Sequence, residues 1–419
     1  MFCKKISLFF IMSILLTSPG FSYPIDGYML TGIKRLFRLQ LIVEGKLKDQ
    51  MPVPGALKKT EEIKLTLYQN ELGKQIEGIP EIDPDFQKKI SSLFPRLDES
   101  YSICVLDISP EKPVRYAERQ PLRGFQPGSV GKLAVLTGLF CELENLFLDS
   151  FENRRDLLKN RVVKGGPWAV YDSHTVPFYY PETGKFVKRQ VTEKDTFTLY
   201  EWVDHMLSVS NNGAASVVWR EALLMRVFGQ KYLTLTEEEA NAFFKNTSKS
   251  ELADLAVSVV NEPLRNMGIS EDEWRLGTMF TRGATGIIPG KGGSLGTPKG
   301  LMKFLIHLEK GEIIDPTTSL EMKRLMYMTD RRIRYAANNS LKEAAVYFKS
   351  GSLYKCREEP GYNCVKYAGN KENYMNSVAI VEHGDSIQYM VTLMSNVLKK
   401  NSNSDHNALA GKIDKIIRE

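Results

Sequence analysis

Histidine and cysteine are both scarce in this chain of 419 residues, five of each. The histidines, His174, His205, His307, His383 and His406, are scattered and show none of the spacings of a metal site. Metallo-hydrolase chemistry is therefore not expected, and no cofactor is called for. Beyond residue 22 no apolar run approaches the ~20 residues of a membrane span, so the mature chain is not expected to cross a membrane. Charge of one sign is lacking too: the formal net charge is +6 and dispersed, and the loss of Lys4 and Lys5 would leave +4. So mild a balance does not point to nucleic acid. There are no internal repeats or low-complexity tracts, and nothing indicates an oligomeric state.

What is present begins with a leader. Lys4-Lys5, the apolar stretch Ile6 to Leu16 and Gly20-Phe21-Ser22 have the form of a signal peptide cut after about Ser22. The expected product is secreted, periplasmic or extracellular. Cys3 precedes the apolar stretch and is not placed as a lipid anchor. Cys356 and Cys364 flank a loop containing Pro360-Gly361, and an oxidising compartment would let them staple it as a disulfide. Cys104 and Cys141 are expected as buried thiols, a second bridge being the alternative. With 42% hydrophobic residues the chain can bury one large domain plus an extension. Residues 23–82 form that extension. In it Gly32 to Leu39 has the pattern of a short basic amphipathic helix, broken at Pro52-Val53-Pro54-Gly55. Packing on the main domain is favoured over contact with a membrane surface or wall polymer.

Three short segments carry chemistry: Ser129-Val130-Gly131-Lys132, Ser210-Asn211-Asn212 and Lys349-Ser350-Gly351-Ser352. Singly each has a bland reading: a lysine on an amphipathic helix, a turn, a strand end with a bulge glycine. A decoy, Ser109-Pro110-Glu111-Lys112, reads as a turn. Ser129 instead follows the loop Gln126-Pro127-Gly128 and precedes the apolar run Leu133 to Phe140, a buried helix in prospect. A serine hydroxyl needs a base within hydrogen-bond reach, and on a helix Lys132 shares a face with Ser129. The positive helix end favours a developing alkoxide. A lysine serving as base must lose its proton near neutrality, which burial near another cation such as Lys349 would achieve.

In this order, and with flanks such as Ile103 to Ile108 before the first segment and Met206 to Ala215 around the second, the chain resembles the class A β-lactamases and related penicillin-binding domains over roughly residues 83–419. The resemblance implies an α/β (α+β) sandwich, an antiparallel sheet flanked by helices with an all-helical subdomain. It implies Ser129 as the acylated nucleophile and Lys132 as its base. Ser210 would pass a proton to the leaving nitrogen, and Asn212 would position the substrate amide and Lys132. Lys349 would hold the substrate carboxylate with Ser350, and the backbone N–H groups of Ser129 and Ser352, beside Gly351, would form the oxyanion hole. Serine stands at Ser350, where threonine is common. The implied partner is a β-lactam or a peptidoglycan peptide.

Elements expected around these motifs are a helix over 86–97, strands near 101–108 and 113–118, and helices from about 129 to 330. An aromatic-rich hairpin, Val162 to Gln190, interrupts those helices. Strands follow at 345–354, 376–383 and 387–394, and a closing helix from about Asn407. Leu264 to Gly268 resembles the helix end before the family's Ω-loop, and Thr297-Pro298 the start of the next helix. The loop between, Trp274 to Gly296, holds no carboxylate. Glu262-Pro263-Leu264-Arg265-Asn266 matches the family's loop signature in letters, but its position puts Glu262 inside the preceding helix. Glu271, Asp272 and Glu273 at the loop entry suit capping or solvated roles. Acylation without efficient release is thus expected, a β-lactamase with full turnover and a non-catalytic wall-binding protein being the alternatives.

Overall fold

The computed structural model describes residues 23–330 and 332–419; the leader, with Cys3, Lys4 and Lys5, lies outside the described residues. Ile103 to Leu106 is apolar without a break because both faces of its strand are covered. Strands β1 (Ser102–Asp107), β2 (Arg115–Arg119), β3 (Ala345–Lys355), β4 (Glu372–His383) and β5 (Ile387–Asn396) form one antiparallel sheet in the order β2-β1-β5-β4-β3. With a side-chain period of two, Ile103 and Val105 enter one core with Phe348, Val381, Leu409 and Ile413. Cys104 and Leu106 enter the other with Tyr347, Val378 and Met390. Helices Pro84–Ser91 and Asn403–Arg418 cover the first core. Burying each such aliphatic side chain stabilises the fold by about 1.5–3 kcal/mol.

The second core continues into a helical subdomain. Its helices are α1 (Lys34–Val43), α2 (Lys132–Leu146), α3 (Leu199–Leu207), α4 (Asn212–Phe228), α5 (Lys249–Asn266) and α6 (Pro298–Lys310). Helix α2 is apolar around its whole circumference, with Leu133, Val135, Leu136, Leu139, Phe140 and Leu143 all buried; such a helix must be enclosed by others. A Cβ at Gly138 would lie 2.7 Å from the Val259 carbonyl oxygen, so glycine is what lets the α5 backbone come this close.

The extension is built into the same core. Leu36, Leu39 and Ile42 of α1 are buried in it, and Arg35 forms a buried ion pair with Asp204 of α3, Nε to Oδ2 2.6 Å. Tyr23 N donates to Tyr327 O (2.9 Å), Tyr327 Oη to Gly55 O (2.8 Å), and Lys58 Nζ to Glu382 of β4 (2.8 Å).

Several boundaries differ from the sequence reading. The hairpin is confined to Thr175–Tyr180 and Lys185–Gln190, whereas Val162–Lys164 pairs with Thr196–Thr198. The turn Gly166–Trp168, with Pro167 inside it, separates the two. Trp168, Phe178 and Tyr179 pack inward, Tyr180 is partly exposed and Tyr171 fully so. The first helix of the main domain starts at Pro84, capped by Asp83, and stops at Ser91; the closing helix starts at Asn403. Cys356 and Cys364 are joined. Cys104 and Cys141 are both free; Cys104 is buried as expected but Cys141, near the end of α2, only half so. Burial pushes both thiols up to about 12.

Candidate active site

The position of Ser129 is set by two glycines. Gly128 adopts φ +53°, and Gly128–Gly131 forms a 3-10 turn that runs into α2 at Lys132, so Ser129 sits in that turn, ahead of the α-helix rather than in its first turn. A Cβ at Gly128 would lie 2.9 Å from Ser352 N, and one at Gly351 would lie 2.2 Å from Pro127 O and 3.1 Å from Ser129 N. Glycine at both places lets the turn press on edge strand β3, bringing the backbone of Ser129 close to that of Gly351 and Ser352. Asn376, paired with Gly351 across the sheet, holds the turn through Nδ2 to Gln126 O (2.9 Å) and Pro127 O (3.1 Å).

Three segments far apart in sequence meet at Lys132. Its Nζ lies 3.1 Å from Ser129 Oγ, 3.3 Å from Ser210 Oγ, 2.6 Å from Ser210 O and 2.8 Å from Asn212 Oδ1. Lys349 Nζ donates to Ser210 Oγ (2.8 Å) and Ser350 O (3.0 Å), so the Ser210 hydroxyl bridges the two amines. Ser210 can face both because it takes a left-handed φ of +58° between α3 and α4. Burial holds the Lys132 amine down at about 7, against the upward pull of Asp172. Lys349 is held well below its ordinary value by burial first and then by the charges of Lys132 and Arg334. The cation effect expected on Lys132 thus falls on Lys349, and desolvation alone lowers Lys132. Ser350 is buried beside Lys349.

Two further residues had no motif to announce them. Arg334, at φ +51°, donates from Nη1 to Gly351 O (2.8 Å) and from Nη2 to Ser352 Oγ (3.0 Å), and lies 5.4 Å from the centre of the Tyr367 ring. Tyr367 follows the Cys356–Cys364 loop in sequence. Asp172 accepts from Asn212 N (2.5 Å) at the start of α4. Asp172 arrives from a loop and Arg334 from the start of a short 3-10 turn, Arg334–Ala337, where no periodicity marks a residue.

The segment 274–296 closes the remaining side. Asn261 of α5 fixes Leu276 through two backbone hydrogen bonds of 2.8 Å, and a Cβ at Gly131 would lie 2.6 Å from Leu276 Cδ2. The Phe280 ring centre is 5.2 Å from Lys132 Nζ. An aromatic ring therefore stands beside the amine on this side. Glu262 lies within α5, 59% exposed, paired with Arg226 Nη1 at 2.5 Å. Glu273 is bound by Lys303, and Asp272 is fully exposed.

A sequence profile described as the Beta-lactamase enzyme family matches residues 85–419. No curated protein matches the chain. A β-lactamase of Chitinophaga pinensis DSM 2588 superposes with TM-score 0.50 at 11% identity, over 79% of this chain and 97% of that one. A mutant of PBP-A, solved as an acyl-enzyme complex with penicillin G, gives 0.48 at 12% identity over 80% and 94%. A class A β-lactamase of Bacteroides cellulosilyticus DSM 14838 gives 0.47 at 15% identity over 79% and 96%. The fold, a mixed α/β arrangement around an antiparallel sheet, is β-lactamase-like. With the profile spanning most of its length, the chain belongs to the Beta-lactamase enzyme family.

Proposed function

We propose that this chain is a secreted serine hydrolase that forms an acyl-enzyme on Ser129 with β-lactams or D-Ala-D-Ala-like amides of cell-wall peptide, and releases it slowly. The observation that carries the reading is the Lys132 amine, about 7 and 3.1 Å from Ser129 Oγ. At neutral pH a large fraction of that amine is unprotonated and can take the hydroxyl proton while Oγ attacks the substrate carbonyl carbon. The oxyanion accepts hydrogen bonds from the N–H groups of Ser129 and Ser352; one such donor typically contributes about 3 kcal/mol. Collapse breaks the C–N bond, and the proton on Lys132 returns to the leaving nitrogen through Ser210 Oγ, 3.3 Å away. Lys349, with Ser350, meets the substrate carboxylate.

Release requires a base for water, and the segment beside Lys132 offers Phe280 instead. General-base assistance is worth about 10²–10⁴ in rate, so acylation should outrun deacylation. A chromogenic cephalosporin is expected to give a burst of about one equivalent and then a slow steady state that Glu262→Gln leaves unchanged. Intact-mass measurement after exposure to a fluorescent penicillin should show one adduct, lost in Ser129→Ala. Unchanged labelling of Ser129→Ala, or no adduct on the wild type, overturns the assignment; rapid release abolished by Glu262→Gln would restore a β-lactamase with turnover.

A further inference from the structure

We infer that Asp172 is a positioning residue for acyl transfer, locking the orientation of Asn212 against Lys132 and giving Lys132 its carboxylate neighbour. The inference rests on the acyl-transfer reading above but concerns a residue outside the three motifs.

Asp172 belongs to the loop between Trp168 and the strand Thr175–Tyr180, and its side chain is almost fully buried. Gly213 makes that burial possible: a Cβ there would lie 2.2 Å from Ala169 O, so the loop rests directly on the first turn of α4. Oδ2 of Asp172 accepts from Asn212 N (2.5 Å) and Gly213 N (3.4 Å), answering the free donors of the helix start. Oδ1 accepts from Asn212 Nδ2 (3.3 Å), and the His174 ring nitrogen Nδ1 lies 2.6 Å from it.

The chemistry of Asn212 gives this arrangement its consequence. A carboxamide has a donor end and an acceptor end. An ionised carboxylate only accepts, so it can receive only the NH₂ end of Asn212. The Oδ1 end is thereby turned to Lys132, 2.8 Å away. A neutral group at residue 172 with a donor of its own would tolerate either orientation, and the flipped one would set NH₂ against the amine that must accept the Ser129 proton.

The charges around Lys132 also single Asp172 out. From the edge strand comes Lys349, with Arg334 behind it; from the segment 274–296 comes the Phe280 ring; beside Asp172 stands His174, about one third exposed. Burial pushes the Asp172 carboxyl up, but the His174 hydrogen bond and charge, the charge of Lys132 and the Asn212 N–H outweigh it, and the group is held below its usual range. Asp172 pulls the Lys132 amine upward; without it, nothing would oppose the effect of burial on that amine.

The test separates charge from packing. In Asp172→Asn the titration of Lys132, followed by NMR of ¹³Cε-lysine-labelled protein, should move below its wild-type position by roughly half a unit to one unit. The acid limb of penicillin acylation should move with it, and the limiting acylation rate should fall roughly tenfold to a hundredfold with little change in substrate affinity. Asp172→Glu should keep the titration in place while the limiting rate still falls. If Asp172→Asn does not fold, Asp172→Ser, which can still cap α4, carries the same expectation. A folded, uncharged variant with an unmoved Lys132 titration overturns the inference, because a merely structural role would alter rate or stability but not that midpoint. Absence of any adduct on the wild type would overturn the acyl-transfer reading instead, and the NMR titration would still decide the role of Asp172.

Discussion

Lys132 is an amine buried in a protein interior, and that placement has a thermodynamic signature. An ordinary lysine keeps its proton to about pH 10.4, whereas in the folded chain Lys132 gives it up near 7. Between those values the unfolded chain binds one proton more than the folded one, so this residue makes stability rise with pH across that window. Lys132→Met removes the term. Relative to wild type the variant should fare best below pH 7 and lose that advantage progressively towards pH 10, by a few kcal/mol in all. Urea unfolding at pH 6, 8 and 9.5 measures the difference; a flat profile would mean that Lys132 is charged in the folded state. Ser129, Lys132, Ser210, Asn212 and Lys349 could be picked out from the sequence because each motif is local, and the structure brings them together. Asp172 and Arg334 could not, since each acquires its partners only when a loop folds back on a distant element.

Among elements, the segment 274–296 is the one on which the proposed slow release of the acyl-enzyme rests. Its lack of a carboxylate is plain in the sequence, but which residue faces Lys132 in its place was not, because a loop has no period to show which side chains point inward. The structure gives that position to Phe280. Phe280→Glu should therefore act in two opposed ways. A carboxylate near Lys132 favours the charged amine, so acylation at pH 7 should slow and its acid limb should move up. The same carboxylate can accept a proton from water, so deacylation should quicken by up to about 10²–10⁴. Stopped-flow acylation and steady-state turnover, measured separately, check both signs; a slowing of both steps would mean that the ring is needed for packing rather than occupying the place of a base. The hairpin boundary differs from the sequence reading for a related reason: the β-branched pair Val162-Val163 has the pattern of a strand as much as the true hairpin has, and only the Gly166–Trp168 turn divides them.

At the scale of the whole molecule the strands could be read from their apolar runs, whereas their order in the sheet and the contacts that seat residues 23–82 come from the structure. An amphipathic helix such as Lys34–Val43 declares that it will be covered, and its sequence does not say by which residues. Here the cover is the main domain, as favoured above, and Arg35 reaches Asp204 on α3. That helix leads into the Ser210 loop, where Ser208 N bonds Asp204 O (2.7 Å) and Asn211 N bonds His205 O (3.0 Å). Arg35→Ala leaves Asp204 buried without its partner, and losing one member of such a pair costs about 3–5 kcal/mol. Chemical denaturation should record that loss, and penicillin labelling should fall more steeply with temperature than in wild type. Unchanged stability would show that the extension is dispensable.

The contact between the Ser129 turn and the Gly351–Ser352 stretch of β3 also has a meaning in time. A ribosome delivers the serine and its lysine well before it delivers the strand that completes the oxyanion site, and β3 is itself an edge strand that must pair with the later β4. Long-range pairings of this kind form late and slowly. On the function proposed above, the emerging chain carries an inert hydroxyl, and reactivity towards penicillin switches on only when the two ends of the domain have found each other, making Ser129 a reporter of its own completed fold.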